Sequence, residues 1–228
     1  MSMKPKRKLK RWLRVMLMPV LVPFAKRYLE QSRTYHYQGI ELEIPNGVFH
    51  PGLFFSTKFL IRYLAHKDLR QQSLLELGTG SGLIAMYCAQ KGAQVTATDI
   101  NPLALTQLEK NAQRNQVALH IHYSDLFENI DQSFDWVIIN PPYYPRNPKN
   151  DEEKAWFCGE NFEYFHRLAA QLAHHIHANS KVLMVLSEDC AIEKIQEILQ
   201  NQQINMRLLE KKEFWLEENY IFSLEVIA

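Results

Sequence analysis

The chain has 228 residues, 46% of them hydrophobic and 22% charged, which excludes a disordered or collagen-like polymer and suits one substantial α/β domain with an appendage. Its net charge of +1 hides an asymmetry: residues 1–33 hold ten Lys/Arg against the single acid Glu30, a net +9, and the remainder carries −8. Cys88, Cys158 and Cys190 form no CxxC pair and no even set, so the sequence points to a reducing cytoplasm and away from structural zinc or a disulfide framework.

The chain opens on KPKRKLKRWLR and then VMLMPVLVPFA. That apolar run is too short to span a bilayer, Pro19 and Pro23 interrupt it, and no small-residue cleavage site follows. It reads as a kinked amphipathic helix that docks on the body or approaches a substrate, with association with a membrane surface as the second reading, and not as an export signal or a transmembrane segment. TYHYQGIELEIP (34–45) alternates around Gln38-Gly39 and predicts a β-hairpin. Residues 1–50 are therefore expected to form a basic N-terminal helix-and-hairpin extension, and 51–228 the main domain. STKFLIRYLAH predicts a helix capped by Ser56.

From Ser73 strands and helices alternate. Strands are expected at 73–77, 93–99, 118–123, 134–140 and 180–188, with helices near 82–91, 102–115, 160–178 and 191–200. Two final strand runs, INMRLLEKKEF and NYIFSLEVIA, follow with no helix between them. The expectation is a Rossmann-like α/β fold: a mainly parallel seven-stranded sheet closed by an antiparallel C-terminal hairpin. His174, His175 and His177 fall in the predicted 160–178 helix, where they would not share one face, so they read as solvated surface and no metal site is expected.

LLELGTGSGLIA places Gly78, Gly80 and Gly82 between the first strand of the repeat and its helix. Such a turn lets the backbone approach a ligand closely at a helix N-terminus. Asp99 ends the second strand, where a carboxylate can accept from both ribose hydroxyls, and Asp125 ends the third, where it can accept from an adenine amine. An adenosine-containing ligand follows, and at this point NAD satisfies the pattern as well.

The fourth strand ends in VIINPPYYP. Asn-Pro-Pro-Tyr suits methylation of a nitrogen whose lone pair is delocalised. Asn140 supplies an amide oxygen and the carbonyl between Pro141 and Pro142 a second acceptor, so both N–H bonds of a planar amide or amine can be held. The prolines stiffen that carbonyl row, and Tyr143 offers a flat face for stacking. The electrophile would be the methyl group of S-adenosylmethionine, with catalysis coming from positioning and preorganised electrostatics.

With these motifs in place, the chain resembles the class I SAM-dependent methyltransferases, and within them the HemK-like protein-glutamine N-methyltransferases, over about Val48 to Ser187. ELGTGSGLIA, DINPLAL with Asn111, NPPY, AWFCGENFEYFHRL and GVFHPGLFFSTKFLIRYL carry the resemblance. It implies that Glu76, Gly78, Thr79, Gly80, Gly82, Asp99, Ile100, Asp125, Leu126 and Asn140 line the SAM site. It also implies that Asn140, Pro141, Pro142 and Tyr143 hold the target amide, a glutamine in a Gly-Gly-Gln-type loop of a translation factor. This chain departs from the family in its short N-terminal region, in Cys158-Gly159 where the family has a glycine pair, and in the long charged loop RNPKNDEEKAW. NPPY serves base amines too, so an RNA adenine-N6 or guanine-N2 methyltransferase, drawn to phosphates by residues 1–33, is the second reading. A non-catalytic SAM-binding scaffold is the third, and Asn140 argues against it.

Overall fold

A computed structural model describes residues 30–214 and 217–227. The proposed kinked helix of the basic arm lies outside the described residues. The first described elements are the expected hairpin, β1 (Arg33–Tyr37) and β2 (Ile40–Ile44), paired antiparallel as a two-stranded sheet. Gln38 and Gly39 both take positive φ (46° and 82°), which a tight turn matching strand twist requires.

Helix α1 (Phe55–Leu64) follows. The expected Ser56 cap is corrected: Phe54 holds the N-cap position with no side-chain hydrogen bond, and Ser56 lies inside the first turn. Alternation then runs through β3 (Ser73–Leu77), α2 (Leu83–Gln90), β4 (Gln94–Asp99), α3 (Pro102–Arg114), β5 (His120–Tyr123) and β6 (Phe134–Ile139). Helix α3 begins as read, with Pro102 in its first turn and the Asn101 side chain accepting from Leu103 N at 3.0 Å. The chain continues through α4 (Glu163–Leu172), β7 (Ile176–Ser187), α5 (Ile192–Gln200), β8 (Ile204–Phe214) and β9 (Glu217–Val226).

The helix expected to reach residue 178 stops at Leu172. A 3-10 turn covers Ala173–His175, and β7 begins four residues before its predicted start. His174 and His175 thus lie on a turn and His177 on a strand, which corrects the helical-surface reading. His175 stacks on Phe127 at 4.4 Å, and His177 Nε2 lies 3.2 Å from Asp135 Oδ1. Among the described residues no group of metal-ligating side chains forms.

The large sheet has the order β5-β4-β3-β6-β7-β9-β8. Its first five strands run parallel, while β9 pairs antiparallel with both β7 and β8. This is the seven-stranded arrangement expected from the sequence. The central strands read as continuous apolar runs because both faces are covered. One core layer joins α1, α2 and α3 to the hairpin through Ile40, Leu42 and Ile44; the other joins α4 and α5 to the opposite sheet face. Both layers place the carboxyl ends of β3, β4 and β6 side by side, where ligands bind in such sheets.

Two asparagines clasp the hairpin. Asn111 Oδ1 accepts from Glu43 N at 3.0 Å, and its Nδ2 donates to Glu43 O at 2.9 Å. One turn later Asn115 treats Glu41 the same way, at 2.9 and 2.7 Å. Together they stand in for a neighbouring strand along β2. Asn111→Ala is expected to cost about 1–3 kcal/mol, because it leaves a backbone donor and acceptor without their partners; urea denaturation checks this.

Candidate active site

The sequence-predicted residues converge at the carboxyl edge of the sheet. A cavity of about 380 Å³ there is lined by Glu76, Gly78, Thr79, Gly80, Asp99, Ile100, Asp125, Leu126, Asn140, Pro141, Pro142 and Tyr143. That volume falls in the range of small-molecule and cofactor sites. Gly82 is the exception and does not line it. It caps α2 at φ 77°, and a Cβ there would collide with Leu108, so its glycine serves helix packing.

The glycine turn is bolted to β4. Thr79 N donates to Thr98 O at 2.8 Å, and Gly80 N donates to Asp99 Oδ2 at 2.8 Å. Asp99 Oδ1 accepts from Asn101 N at 2.9 Å, so this carboxylate also fixes the start of α3. Burial pushes its carboxyl above the ordinary range, while the N–H groups of Asn101, Gly80 and Ile100 act against that shift.

Glu76 is only 4% exposed. Its Oε2 accepts from Thr79 Oγ1 and Ala85 N, both at 2.8 Å. Burial pushes its carboxyl up to about 8, against those two donors, and neighbouring Asp99 adds to the rise. Neither Glu76 nor Asp99 belongs to an ion pair among the described residues. A carboxyl that ionises near 8 in the fold and near 4.5 when unfolded favours folding in full below 4.5, and that contribution is lost as pH rises through 8. The ligand-free protein is therefore expected to lose stability between about pH 5 and about pH 8. Glu76→Gln keeps an acceptor oxygen and is expected to flatten that decline in thermal melts taken across the range.

Asp125 meets a cation that the sequence reading missed. Arg167 of α4 donates from Nη1 to Asp125 Oδ2 and from Nη2 to Glu128 Oε1, both at 2.9 Å. Tyr164, one turn earlier on α4, also lines the cavity, and burial raises its hydroxyl pKa, with Asp125 and Asp99 adding to the effect. Leu126 is held at φ 54° by a clamp in which Ser124 Oγ donates to Leu126 O at 2.8 Å and accepts from Asn129 N at 3.1 Å.

Asn140 leaves the end of β6 beside Gly78, because Leu77 and Ile139 are register partners. It is half-buried and lines the cavity, and no side-chain hydrogen bond among the described residues engages its amide. Its peptide bond to Pro141 is trans. Tyr143 packs on Tyr144 at 4.7 Å, and burial raises its hydroxyl pKa well above the usual range, with neighbouring Ser187 acting against that rise.

Two chain segments cover this floor. Residues 47–57 are tied down where Asn101 Nδ2 donates to Gly47 O at 3.3 Å. The charged loop after Tyr144 folds back on itself: Tyr144 N donates to Trp156 O, Cys158 N to Tyr144 O and Gly159 N to Arg146 O, at 3.0–3.1 Å. The covers meet where Trp156 packs on Phe49 and Phe54 at 5.4 and 4.9 Å, with Phe49 and Phe54 themselves 4.9 Å apart. These three rings line the cavity and were not anticipated from sequence. Their only signal there was the resemblance of the two segments that carry them.

The cavity wall is acidic. Its cations Lys154 and Arg167 are committed to Asp151 and Asp125 at 2.8 and 2.9 Å. A pyrophosphate would face carboxylates here, whereas a cationic ligand that also donates hydrogen bonds would satisfy them.

Comparisons with known proteins agree with this architecture. Residues 40–216 match the family model described as the methyltransferase small domain. A putative protein N5-glutamine methyltransferase of Methanocaldococcus jannaschii is 38% identical over 109 residues, covering 47% of this chain and 53% of that protein. A ribosomal RNA small subunit methyltransferase C of Chromohalobacter salexigens is 34% identical over 109 residues, covering 46% of this chain and 33% of that protein. The chain thus spans about half or less of the length of these curated relatives. The crystal structure of a methyltransferase from Pyrococcus furiosus superposes with a TM-score of 0.63 at 16% identity, covering 98% of this chain and 100% of that one, which places the fold among the class I methyltransferases.

Proposed function

We propose that this chain, which belongs to the methyltransferase small-domain family, transfers a methyl group from S-adenosylmethionine to a planar amide or amine nitrogen. One observation carries the reading: Asn140, whose amide makes no side-chain hydrogen bond among the described residues, shares a single cavity with the carboxyl groups of Glu76 and Asp99, neither of which has a cation partner among those residues. Bound there, S-adenosylmethionine supplies an electrophilic methyl group on a positively charged sulfur. Its ribose diol matches Asp99, and its positive charge suits the acidic wall that a pyrophosphate would oppose.

Asn140 Oδ1 and the Pro141 carbonyl accept the two N–H bonds of the acceptor and turn its lone pair toward the methyl carbon. The bound donor would supply the methyl carbon, its sulfur keeping the electron pair of the broken carbon–sulfur bond, and the extra proton on the methylated nitrogen would pass to solvent. No strong base is required, since the nitrogen turns acidic only on methylation.

Two acceptors fit the clamp. A glutamine side chain of a translation factor is supported by the NPPY resemblance and by the relative named for glutamine N5. An amino group of an RNA base is supported by the rings around the cavity and by the relative named for ribosomal RNA. Methyl transfer from labelled S-adenosylmethionine, compared on purified translation factors and on unmodified ribosomal and transfer RNA, separates them. Failure of the full chain to bind the donor by calorimetry would overturn the reading itself.

A further inference from the structure

Several cations are matched to acids: Arg70 to Asp68, Arg114 to Glu43, Arg207 to Glu225 and Lys211 to Glu218. Lys58 and Arg62 on α1 and Lys212 on β8 are among those that are not. Lys58 Nζ sits 5.7 Å from the Tyr35 ring centre, and Arg62 Cζ and Lys212 Nζ sit 5.7 and 5.6 Å from that of Phe214. None of the three pairs with a carboxylate among the described residues. Lys58 and Arg62 lie four residues apart on α1 and so share a face. Strand alternation puts Lys212 with Phe214 and sends Glu213 to the other side.

Of the two rings, Phe214 connects to the cavity. Phe214 stacks on Phe55 at 5.1 Å with planes 7° apart, and Phe55 is part of the cavity wall. The net +9 of residues 1–33 ends at Arg33, two residues from Tyr35. Positive charge and flat faces therefore alternate along one path from β1, across α1 and β8, to the mouth. An acidic protein surface would use the cations alone and leave the partly exposed rings of Tyr35 and Phe214 unused. A single-stranded nucleic acid satisfies both, with phosphates on the cations and bases on the rings.

We propose that the strip formed by Lys58, Arg62, Lys212, Tyr35 and Phe214 docks a single-stranded RNA segment and leads its acceptor base over Phe55 into the cavity. The inference rests on the planar-nitrogen reading for its last step, but docking is measurable without catalysis. The 228-residue chain is titrated by anisotropy against a labelled RNA of about twelve nucleotides, a length suited to one such groove, at several salt concentrations. Lys58→Glu/Arg62→Glu/Lys212→Glu is expected to weaken binding at least tenfold and to reduce the salt slope by about 2, the share of three phosphate contacts. Donor affinity by calorimetry is expected to stay within twofold, so loss of RNA docking is distinguishable from failure of the cofactor site. The neutral triple variant with glutamines serves if the charge reversals unfold the chain. Phe214→Leu is expected to weaken RNA several-fold and leave heparin, which has no bases, unchanged. An unaltered RNA affinity and salt slope in the triple variant would overturn the proposal. Equal binding of heparin and RNA, with no effect of Phe214→Leu on either, would also overturn it and would mark the strip as a dock for acidic proteins.

Discussion

Asn140→Ala is expected to lower turnover by about a hundredfold or more while leaving donor affinity within about twofold of the wild type. The residue follows β6, and no side-chain hydrogen bond among the described residues engages its amide, so its removal costs the fold little. What disappears, in the mechanism proposed, is one preorganised acceptor on the reacting nitrogen, and a group of that kind is worth roughly two to three orders of magnitude in rate. Single-turnover methyl transfer with saturating donor, paired with calorimetry, reads both quantities. Wild-type turnover in the variant would remove the amide clamp from the mechanism. Asn140→Asp tests the clamp from the other side: it keeps an acceptor but adds a charge beside Glu76 and Asp99, in a cavity whose carboxyls are already pushed toward their neutral forms. Its turnover is expected to rise from acid toward neutral pH as the new side chain ionises.

Asp99→Ala is expected to weaken donor binding tenfold or more with little change in turnover at saturating donor. The carboxylate has two tasks. It accepts the N–H groups of Gly80 and Asn101 at 2.8 and 2.9 Å, shaping the glycine turn and the start of α3, and it faces the position proposed for the ribose. A hydrogen bond to a charged group contributes about 1.5–3 kcal/mol, so losing even one exceeds tenfold in affinity. Asp99→Asn keeps one acceptor oxygen and is expected to fall between the wild type and alanine. Unaltered affinity in calorimetry would exclude the ribose role; a collapse of the melting transition in Asp99→Ala but not in Asp99→Asn would assign the residue to the turn alone.

Much of the fold was written locally. SLLEL is apolar for five residues because its strand is covered on both faces, and the observed strand has those same limits, Ser73–Leu77. Pro102 starts α3 at the residue the sequence predicts, and the structure adds Asn101 as its cap. The failures share a cause. The first half of β7, IHANS, has little strand character, and distant partners hold it extended: Phe134 O accepts from Ser180 Oγ, and Asp135 meets His177. A local reading sees no reason to end α4 there. The charged loop reads as irregular for the same reason, since its order comes from backbone bonds between Tyr144–Arg146 and Trp156–Gly159. At the site, the residues that motif spacing brings to the cavity were legible. Arg167 and the Phe49, Phe54 and Trp156 rings come together only through tertiary packing and carry no spacing of their own.

The roof of three rings has a consequence for timing. Its halves come from segments about a hundred residues apart, and a nucleoside bound in the cavity as proposed would have to pass these rings to leave. Motions of this type run on microsecond to millisecond scales and often outlast the chemistry. The first round of methylation is therefore expected to appear as a rapid burst ahead of a slower steady state, and Trp156→Ala to erase the burst by hastening departure of the spent nucleoside.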